Sequence, residues 1–147
     1  MKIRTTVLCL PVANLDRTLL FYQEVFGLPD AQIEEEMIAL ELPNLSLFLM
    51  SRKSYESYTF KAKRNALLPG TSAPAIISCA VETKQDVDQA LAKAEGFESA
   101  TSTTAEIDAL SGGYIGYVSD PDGHLWELVC PKHLWSQADA SQETPAN

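Results

Sequence analysis

The 147-residue chain is short of basic residues, of histidine and of long apolar runs. Eleven Lys and Arg stand against twenty Asp and Glu, and the formal net charge of -9 argues against a nucleic-acid partner or an anionic membrane surface. No stretch approaches the roughly 18 uninterrupted apolar residues of a membrane span. The N-terminus also lacks the apolar core and the small-residue cleavage site of a signal peptide. We therefore expect a cytoplasmic protein with no nucleic-acid and no membrane partner.

Cysteine is also scarce, and the three cysteines, Cys9, Cys79 and Cys130, each lie inside an apolar run. An odd number placed in this way is typical of buried reduced thiols, and it excludes a disulfide framework or a zinc cluster. An apolar content of 46% excludes intrinsic disorder over most of the length. The length suits one compact domain or two small modules.

The two halves of the chain repeat one plan. A strand-like run over 5–12 precedes an amphipathic helix pattern that ends at Gly27, and a run over 75–81 precedes a helix pattern that ends at Gly96. A constant offset of 69 residues superposes both strand ends and both helix ends. The predicted helix caps and further strands are Asn14, Thr83, 33–42, 45–50, 99–104, 114–119 and 124–130. The pattern therefore predicts a β-α-β-β-β module twice. One such module cannot bury both faces of its sheet alone, so we expect the two modules to pack side by side.

The segment between the two halves has a different composition. It carries five of the eleven bases and ends in a Pro/Gly/Ser cluster, so we interpret it as a solvated basic run followed by a linker. The C-terminal tail lacks large apolar residues beyond its first positions and is expected to fray. The predicted segments are a first module over 1–51, the basic run and linker over 52–74, a second module over 75–133 and the tail over 134–147.

Two motifs carry a family resemblance. The run GGYIGYVSDPDGHLWEL over 112–128 resembles the last hairpin of the vicinal oxygen chelate superfamily, which groups glyoxalase I, bleomycin- and fosfomycin-resistance proteins and extradiol dioxygenases. The run VANLDRTLLFY over 12–22 resembles the opening of the same family, and together the likeness covers about residues 3–133. It implies an α+β fold in which two βαβββ modules form an open half-barrel around a central funnel. It also implies a homodimer.

Enzymes of this family hold a divalent metal with ligands from the first and last strands of each module. Carried onto this chain, the opening positions fall at Val7 and Ile76, which cannot coordinate a metal, and the closing strand over 45–50 has no acid, amide or histidine. Only Glu127 matches, whereas a catalytic site needs about three N or O ligands. The chain is therefore identified as a divergent member that lacks most metal ligands. We predict no cofactor, and Glu127 is a metal ligand only if Zn, Ni, Fe or Mn is bound.

The turn over 121–123 sets the register of the last hairpin. Pro, Asp and Gly in this order suit a three-residue loop with glycine in the left-handed conformation, which places Tyr117 opposite Glu127. A two-residue loop would place Gly116 there instead, and we prefer the three-residue register because register follows turn type.

Glu127 is the main candidate functional residue. A carboxylate on an apolar strand face is costly unless it is paired or hydrated, so Glu127 is a candidate general base and Tyr117 the candidate catalytic residue beside it. The alternative is that the two residues bond each other and have no further role. Strand parity adds neighbours, although sequence leaves open whether Leu45, Leu47 and Leu49 or Ser46, Phe48 and Met50 face the funnel. The expected ligand-binding residues are Val7, Cys9, Phe48, Met50, Ile76, Ser78, Tyr114, Tyr117 and Glu127.

The resemblance and the missing ligands together suggest a metal-independent protein that binds a small apolar or aromatic molecule. The alternative is a metal-dependent lyase or dioxygenase whose missing ligands come from water, substrate or a partner chain. A third possibility is an interaction or storage module with a collapsed funnel.

Overall fold

A computed structural model describes residues 1–135 of the chain. They form two compact units, the first over Met1–Ser72 and the second beginning at Ala73. The elements of the first unit are β1 (Val7–Val12), α1 (Leu15–Val25), β2 (Ile33–Glu34), β3 (Met37–Leu42), β4 (Leu45–Ser51) and α2 (Arg52–Lys61). Its sheet has the order β1-β4-β3-β2, with β1 parallel to β4 and the other pairs antiparallel.

Helix α1 begins and ends where the sequence predicts. The Asn14 side chain accepts a hydrogen bond from the backbone N–H of Arg17 at 3.0 Å, which caps the N-terminus. Gly27, with a φ of 63°, follows the C-terminus in the left-handed conformation that glycine tolerates best. Between them, Phe21 and Tyr22 are fully buried. These aromatic side chains of α1 therefore form part of the core of the first unit.

The segment 33–42, expected as one strand, is a hairpin. Glu35 and Glu36 have φ values of 49° and 61°, so the chain reverses between β2 and β3. Two consecutive positive φ values are the geometry of a type I′ turn, whose twist matches the flanking strands. The prediction missed this turn because glutamate is an unusual residue in that conformation.

The basic run contains a helix that the sequence analysis did not predict. Helix α2 is capped by Ser51, whose side chain accepts from the backbone N–H of Ser54 at 3.2 Å. Arg52 and Glu56 form an i,i+4 ion pair at 3.0 Å. None of the helical residues over 52–61 is buried. The helix was missed because it has no apolar stripe for a periodicity analysis to detect.

The second unit repeats the plan. Its elements are β5 (Ile76–Ala80), α3 (Lys84–Ala94), β6 (Thr101–Ser102), β7 (Glu106–Ile107), β8 (Tyr114–Ser119), β9 (Leu125–Cys130) and a 3-10 turn (Lys132–Leu134). The strand order is β5-β9-β8-β6, and β7 also pairs with β8. The strand expected over 99–104 is therefore shorter, and a second short strand follows it. The predicted α+β fold with two βαβββ modules is confirmed.

Helix α3 begins with a reciprocal cap, in which the Thr83 hydroxyl accepts from the Asp86 N–H and the Asp86 carboxylate accepts from the Thr83 N–H, both at 3.0 Å. Its buried side of Val87, Leu91 and Ala94 packs on the sheet. None of the helices in the described part of the chain has the length and apolarity that a membrane span requires.

The expectation of three buried cysteines needs correction, and most of the expected C-terminal tail lies outside the described residues. All three cysteines are thiols, but only Cys130 is fully buried, whereas Cys9 is exposed on the sheet and Cys79 is half-buried. Cys9 is exposed because it shares the open face of β1 with Val7, two residues before it. Of the expected tail, Trp135 donates from its ring N–H to the Cys130 carbonyl at 3.3 Å. Residues 136–147 lie outside the described residues.

Candidate functional site

Three side chains from three adjacent strands meet on one face of the second sheet. Glu127 of β9 pairs in register with Ser78 of parallel β5 and with Tyr117 of antiparallel β8. The Ser78 hydroxyl donates to Oε1 of Glu127 at 2.7 Å, and the Tyr117 hydroxyl donates to Oε2 at 2.5 Å. Both oxygens of one carboxylate are therefore held by hydroxyl donors, an arrangement called the Glu127 cluster below.

The predicted register of the last hairpin is confirmed. Gly123 has a φ of 93°, and the loop closes with the Asp120 N–H donating to the His124 carbonyl at 3.0 Å. The buried Asp120 carboxylate also accepts from the backbone N–H of Asp122 at 2.9 Å and of His124 at 3.0 Å. These bonds rigidify the loop and so place Tyr117 directly opposite Glu127.

The surroundings of the cluster on this face are aliphatic. Leu125 and Val129 flank Glu127 on its own strand, and Ile115 lies two residues from Tyr117 on β8. Ile76 lies on the same face of β5, two residues before Ser78, and is 55% exposed. The carboxylate is therefore the charged group at the centre of a half-buried apolar surface.

A small cavity adjoins the cluster at Tyr117. Its volume is about 160 Å³, and its lining residues are Thr103, Thr104, Glu106, Asp108, Ile115 and Tyr117. The Thr103 hydroxyl accepts from the Tyr117 N–H at 3.0 Å, and the Thr103 N–H donates to the Tyr117 carbonyl at 3.0 Å. These two hydrogen bonds fix the loop between β6 and β7 against β8, so the cavity has a defined wall.

Within residues 1–135, the charges that act on the Tyr117 pKa are all negative. The hydrogen bond to Glu127 raises the pKa of the Tyr117 hydroxyl most, followed by burial and by the charges of Glu127, Asp108 and Glu106. Asp108 is itself held ionised, because hydrogen bonds from the Ser111 hydroxyl and N–H lower its pKa. Tyr117 is consequently a neutral hydrogen-bond donor at physiological pH.

Tyr114, which the sequence analysis grouped with the site, lies on the opposite face of β8. It is three residues from Tyr117, an odd spacing that reverses the side-chain direction in a strand. Its hydroxyl donates to Asp88 of α3 at 2.6 Å, and the Lys84 ammonium lies 5.4 Å from its ring centroid. Burial, the bond to Asp88 and the charge of Asp88 raise the pKa of Tyr114 to about 12. The structure thus places Tyr114 in helix–sheet packing and not beside Glu127.

The remaining expected ligand-binding residues lie in the first unit and share one face of its sheet. Val7 pairs in register with Ser46, Cys9 with Phe48, and Pro11 with Met50. Leu47 and Leu49 are fully buried, so Ser46, Phe48 and Met50 lie on the opposite face of this sheet, together with Val7 and Cys9. Val7 is 38% exposed, whereas Met50 is 6% exposed and offers little surface.

The two units differ at equivalent positions of their sheets. In the second unit the central row is Ser78–Glu127–Tyr117, and the register of the first unit gives Cys9, Phe48 and Ala39 at the corresponding positions. The polar chemistry of this row therefore belongs to the second unit, while the equivalent row of the first unit carries no carboxylate.

Sequence reasoning missed the polar groups outside the recognised motifs. In the first unit the Ser46 hydroxyl donates to Glu41 at 2.5 Å, which forms a second serine–carboxylate pair on an exposed strand face. In the second unit it missed Thr103, Glu106 and Asp108 around the cavity. The alternation of Glu41 with apolar residues in β3 could have indicated the Ser46–Glu41 pair. No sequence pattern indicates the loop residues around the cavity.

The donor atoms present do not fit the family's metal. Among residues 1–135, no group of three or more His, Cys, Asp or Glu side chains is placed to hold a metal ion. Val7 and Ile76, at the positions that the resemblance assigns to ligands, carry no donor atom, and Glu127 alone supplies too few. We therefore derive no step through a metal.

Fold and site together define a protein of two βαβββ modules with a carboxylate held by hydroxyls in the second. The chain belongs to the Glyoxalase/Bleomycin resistance protein/Dioxygenase superfamily, whose family model matches residues 4–128. Membership of the vicinal oxygen chelate superfamily, expected from the two motifs, is thus confirmed. Comparison with curated protein sequences gives no significant match.

Solved structures show the same fold. A hypothetical protein from S. aureus is 19% identical with a TM-score of 0.69, covering 88% of this chain and 95% of that one. A glyoxalase-related enzyme from Fulvimarina pelagi is 19% identical with a TM-score of 0.65, covering 86% and 87%. The fosfomycin resistance protein of Mesorhizobium loti is 16% identical with a TM-score of 0.60, covering 90% and 95%. At these identities the likeness shows the fold alone.

Proposed function

We propose that the Glu127 cluster is a metal-independent binding site for a small neutral apolar or aromatic molecule. The observation that carries the proposal is the double hydroxyl support of Glu127, at 2.7 Å from Ser78 and 2.5 Å from Tyr117, on an otherwise aliphatic strand face. An ionised carboxylate has about four acceptor positions, so two remain for a ligand after both hydroxyls have bound. A hydroxyl or N–H group of a ligand would therefore find a fixed acceptor beside apolar surface.

The adjoining cavity limits the ligand's size and charge. A volume of about 160 Å³ accommodates a single ring and little more. None of the residues described as lining it is basic, and Glu106, Asp108 and Glu127 place three carboxylates around Tyr117. An anionic ligand would meet repulsion with no compensating cation, so the charges favour a neutral ligand.

The same geometry supports ligand binding better than it supports catalysis. Glu127 is placed to accept a proton from an acidic O–H or C–H bond of a ligand, which would leave the electron pair on the ligand as an anion. Tyr117, whose hydroxyl remains protonated, would have to leave its bond to Glu127 to donate a hydrogen bond to that anion, and Glu106 and Asp108 would oppose the anion. We therefore put binding first and a general-base role for Glu127 second.

One observation favours a second candidate function, that of a metal-dependent lyase or dioxygenase. Glu127 occupies the closing-strand position at which the resemblance expects a metal ligand, and it faces the exposed side of the sheet. In this alternative the further ligands come from water, substrate or a partner chain, and the ion is Zn, Ni, Fe or Mn.

The two candidates predict different results from one pair of measurements. Ligand-observed NMR with phenol and benzoate tests the site, and we expect phenol to bind and benzoate to fail. Elemental analysis of wild type and Glu127→Ala tests the alternative, and we expect less than one metal per chain in both proteins. About one chelator-removable metal per wild-type chain, lost in Glu127→Ala and needed for binding of phenol, would establish the metal-dependent candidate instead.

A further inference from the structure

The two hydroxyls of the Glu127 cluster are divided evenly between the oxygens of the carboxylate. Ser78 donates to Oε1 at 2.7 Å and Tyr117 donates to Oε2 at 2.5 Å, so each oxygen accepts one hydroxyl. No third donor from residues 1–135 reaches this carboxylate. Each carboxylate oxygen has two acceptor positions, so one remains on Oε1 and one on Oε2. A single ligand can therefore use both oxygens at once.

The strand order sets the sides from which the hydroxyls reach Glu127. Strand β9 lies between β5 and β8, so Ser78 and Tyr117 flank Glu127 on opposite sides. Donors that approach from both flanks leave the side of the carboxylate that faces away from the sheet to a ligand. Glu127 is half-buried and Ser78 is exposed, so a small molecule can reach this side from solvent.

The hydroxyls also fix the orientation of the carboxylate plane. The last torsion of a glutamate side chain has broad energy wells, so an unsupported carboxylate turns easily. Two bonds to side chains on two different strands oppose this turning, because a rotation would lengthen at least one of them. The pair of remaining acceptors is therefore preorganised, and a ligand that binds both orders the site little further.

This pair of acceptors selects for the number of donors in the ligand. Two oxygens of one carboxylate match two parallel N–H groups, each of which donates to one oxygen. A urea group presents two such N–H groups and carries no charge, whereas a phenol or a secondary amide presents one donor. A urea therefore satisfies both remaining positions, and a ligand with one donor leaves the second position to water.

The side chains around the carboxylate provide apolar surface for a substituent of the urea. Ile76 pairs in register with Leu125 on one side of the Glu127 cluster, and Ile115 pairs with Val129 on the other. Ile115 also lines the adjoining cavity of about 160 Å³. A ring attached to one urea nitrogen would lie beside Ile115, at this cavity.

We propose that the Glu127 cluster binds a neutral urea that carries one small apolar or aromatic substituent. The two N–H groups of the urea donate to Oε1 and Oε2 of Glu127, and the substituent packs beside Ile115. This inference rests on the proposed function, because it names the class of ligand for the same site.

The test is an NMR titration of the full-length chain with four neutral probes: phenol, phenylurea, acetanilide and 1,1-dimethyl-3-phenylurea. Acetanilide has the shape of phenylurea with a methyl group in place of the NH2 group, and the dimethyl compound keeps the urea carbonyl but has one N–H. We expect phenylurea to bind at least about tenfold tighter than both, the effect of one added hydrogen bond to a charged acceptor. The largest amide shifts should be at Ser78, Tyr117 and Glu127.

Two variants show whether the preference for phenylurea comes from Glu127. Glu127→Gln should remove the preference for phenylurea over acetanilide, because an amide has one acceptor oxygen and its NH2 group opposes the second donor. Glu41→Gln is the matched control. Glu41 is an exposed carboxylate of the first unit that accepts from the Ser46 hydroxyl, so this change should leave the preference unaltered.

The outcomes separate this inference from the proposed function. Binding of phenol at the cluster together with equal affinities for phenylurea and acetanilide would overturn the inference and leave the proposed function standing. No shift at the cluster with any of the four probes would overturn both. A preference for phenylurea that persists in Glu127→Gln would also overturn the inference, because the second donor would then bind elsewhere.

Discussion

At the scale of single residues, Glu127 has the position on which the site depends. Its carboxylate accepts from two hydroxyls at 2.7 and 2.5 Å and raises the pKa of Tyr117 both as acceptor and as charge. Hydrogen bonds to charged groups contribute about 1.5–3 kcal/mol, roughly twice the value of neutral ones. The effect of Glu127 should therefore be measurable on Tyr117 itself.

Glu127→Gln should lower the pKa of Tyr117 toward its ordinary value near 10, because an amide oxygen is a weaker acceptor for the tyrosine hydroxyl and the carboxylate charge is removed. Titration of the Tyr117 ring resonances by NMR, assigned with Tyr117→Phe, measures this change. Ser78→Ala is the matched control, since it removes a hydroxyl from the cluster and keeps the carboxylate charge. An unchanged Tyr117 pKa in Glu127→Gln would show that the two side chains are not coupled in solution.

At the scale of elements, the contact between α3 and β8 holds the second sheet in shape. Gly116 of β8 lies under Leu91 of α3, and a Cβ atom at this position would come within 2.7 Å of a Leu91 methyl carbon. Tyr114 and Asp88 tie the same two elements by a hydrogen bond of 2.6 Å. Both features place β8, and therefore Tyr117, relative to the helix.

Gly116→Ala should lower the free energy of unfolding by about 1–3 kcal/mol, the usual cost of overpacking a core contact. Urea unfolding measures it. In a Leu91→Ala background the same change should cost less, because the methyl groups that it would meet are gone. Gly96→Ala, where a Cβ atom would have ordinary contact at 3.4 Å, is the matched control and should have a smaller effect. A similar cost for both alanine variants would contradict the packing described.

Tyr114 should make the stability of the protein sensitive to alkaline pH. Its pKa is about 12 when folded and about 10 when unfolded, so its stabilising contribution is fully present below pH 10 and is lost as pH rises toward 12. Wild type should be about 1 kcal/mol more stable than Tyr114→Phe at neutral pH, and this advantage should shrink steadily over that window. Urea unfolding of both proteins across the pH range measures it. A constant difference would contradict the raised pKa.

The elements show how much of the fold could be predicted from sequence. Caps and turns with specific chemistry, such as Asn14, Thr83 and the loop 121–123, were predictable because each residue type satisfies a defined backbone geometry. The register from that loop also gave the contact of Tyr117 with Glu127. The turn at Glu35 and Glu36 and the helix over 52–61 were not, because glutamate is unusual at positive φ and the helix has no apolar stripe.

Only the site residues that lie on strands could be predicted, because side chains alternate between the two faces along a strand. Parity brought Ser78, Tyr117 and Glu127 together, but grouping Tyr114 with them ignored the odd spacing along β8. The cavity residues Thr103 and Asp108 lie in irregular chain, where no periodicity indicates which side chains converge.

At the scale of the whole molecule, we expect two copies of the chain to associate. The resemblance implies a homodimer, and several apolar side chains of the described residues are exposed, among them Phe60 at 83% and Leu110 at 98%. Light scattering at micromolar concentration should give about 32 kDa, twice the chain mass of 16.1 kDa. A species of one chain mass over a wide dilution range would contradict this expectation.

The central claim is that Glu127 anchors a small neutral ligand without a metal, and a calorimetric titration with phenol tests it most directly. We predict the same affinity with and without a chelator, and at least about tenfold weaker binding to Glu127→Gln, which loses a charge-assisted acceptor. Loss of binding in chelator, or equal affinity of wild type and Glu127→Gln, would contradict the claim.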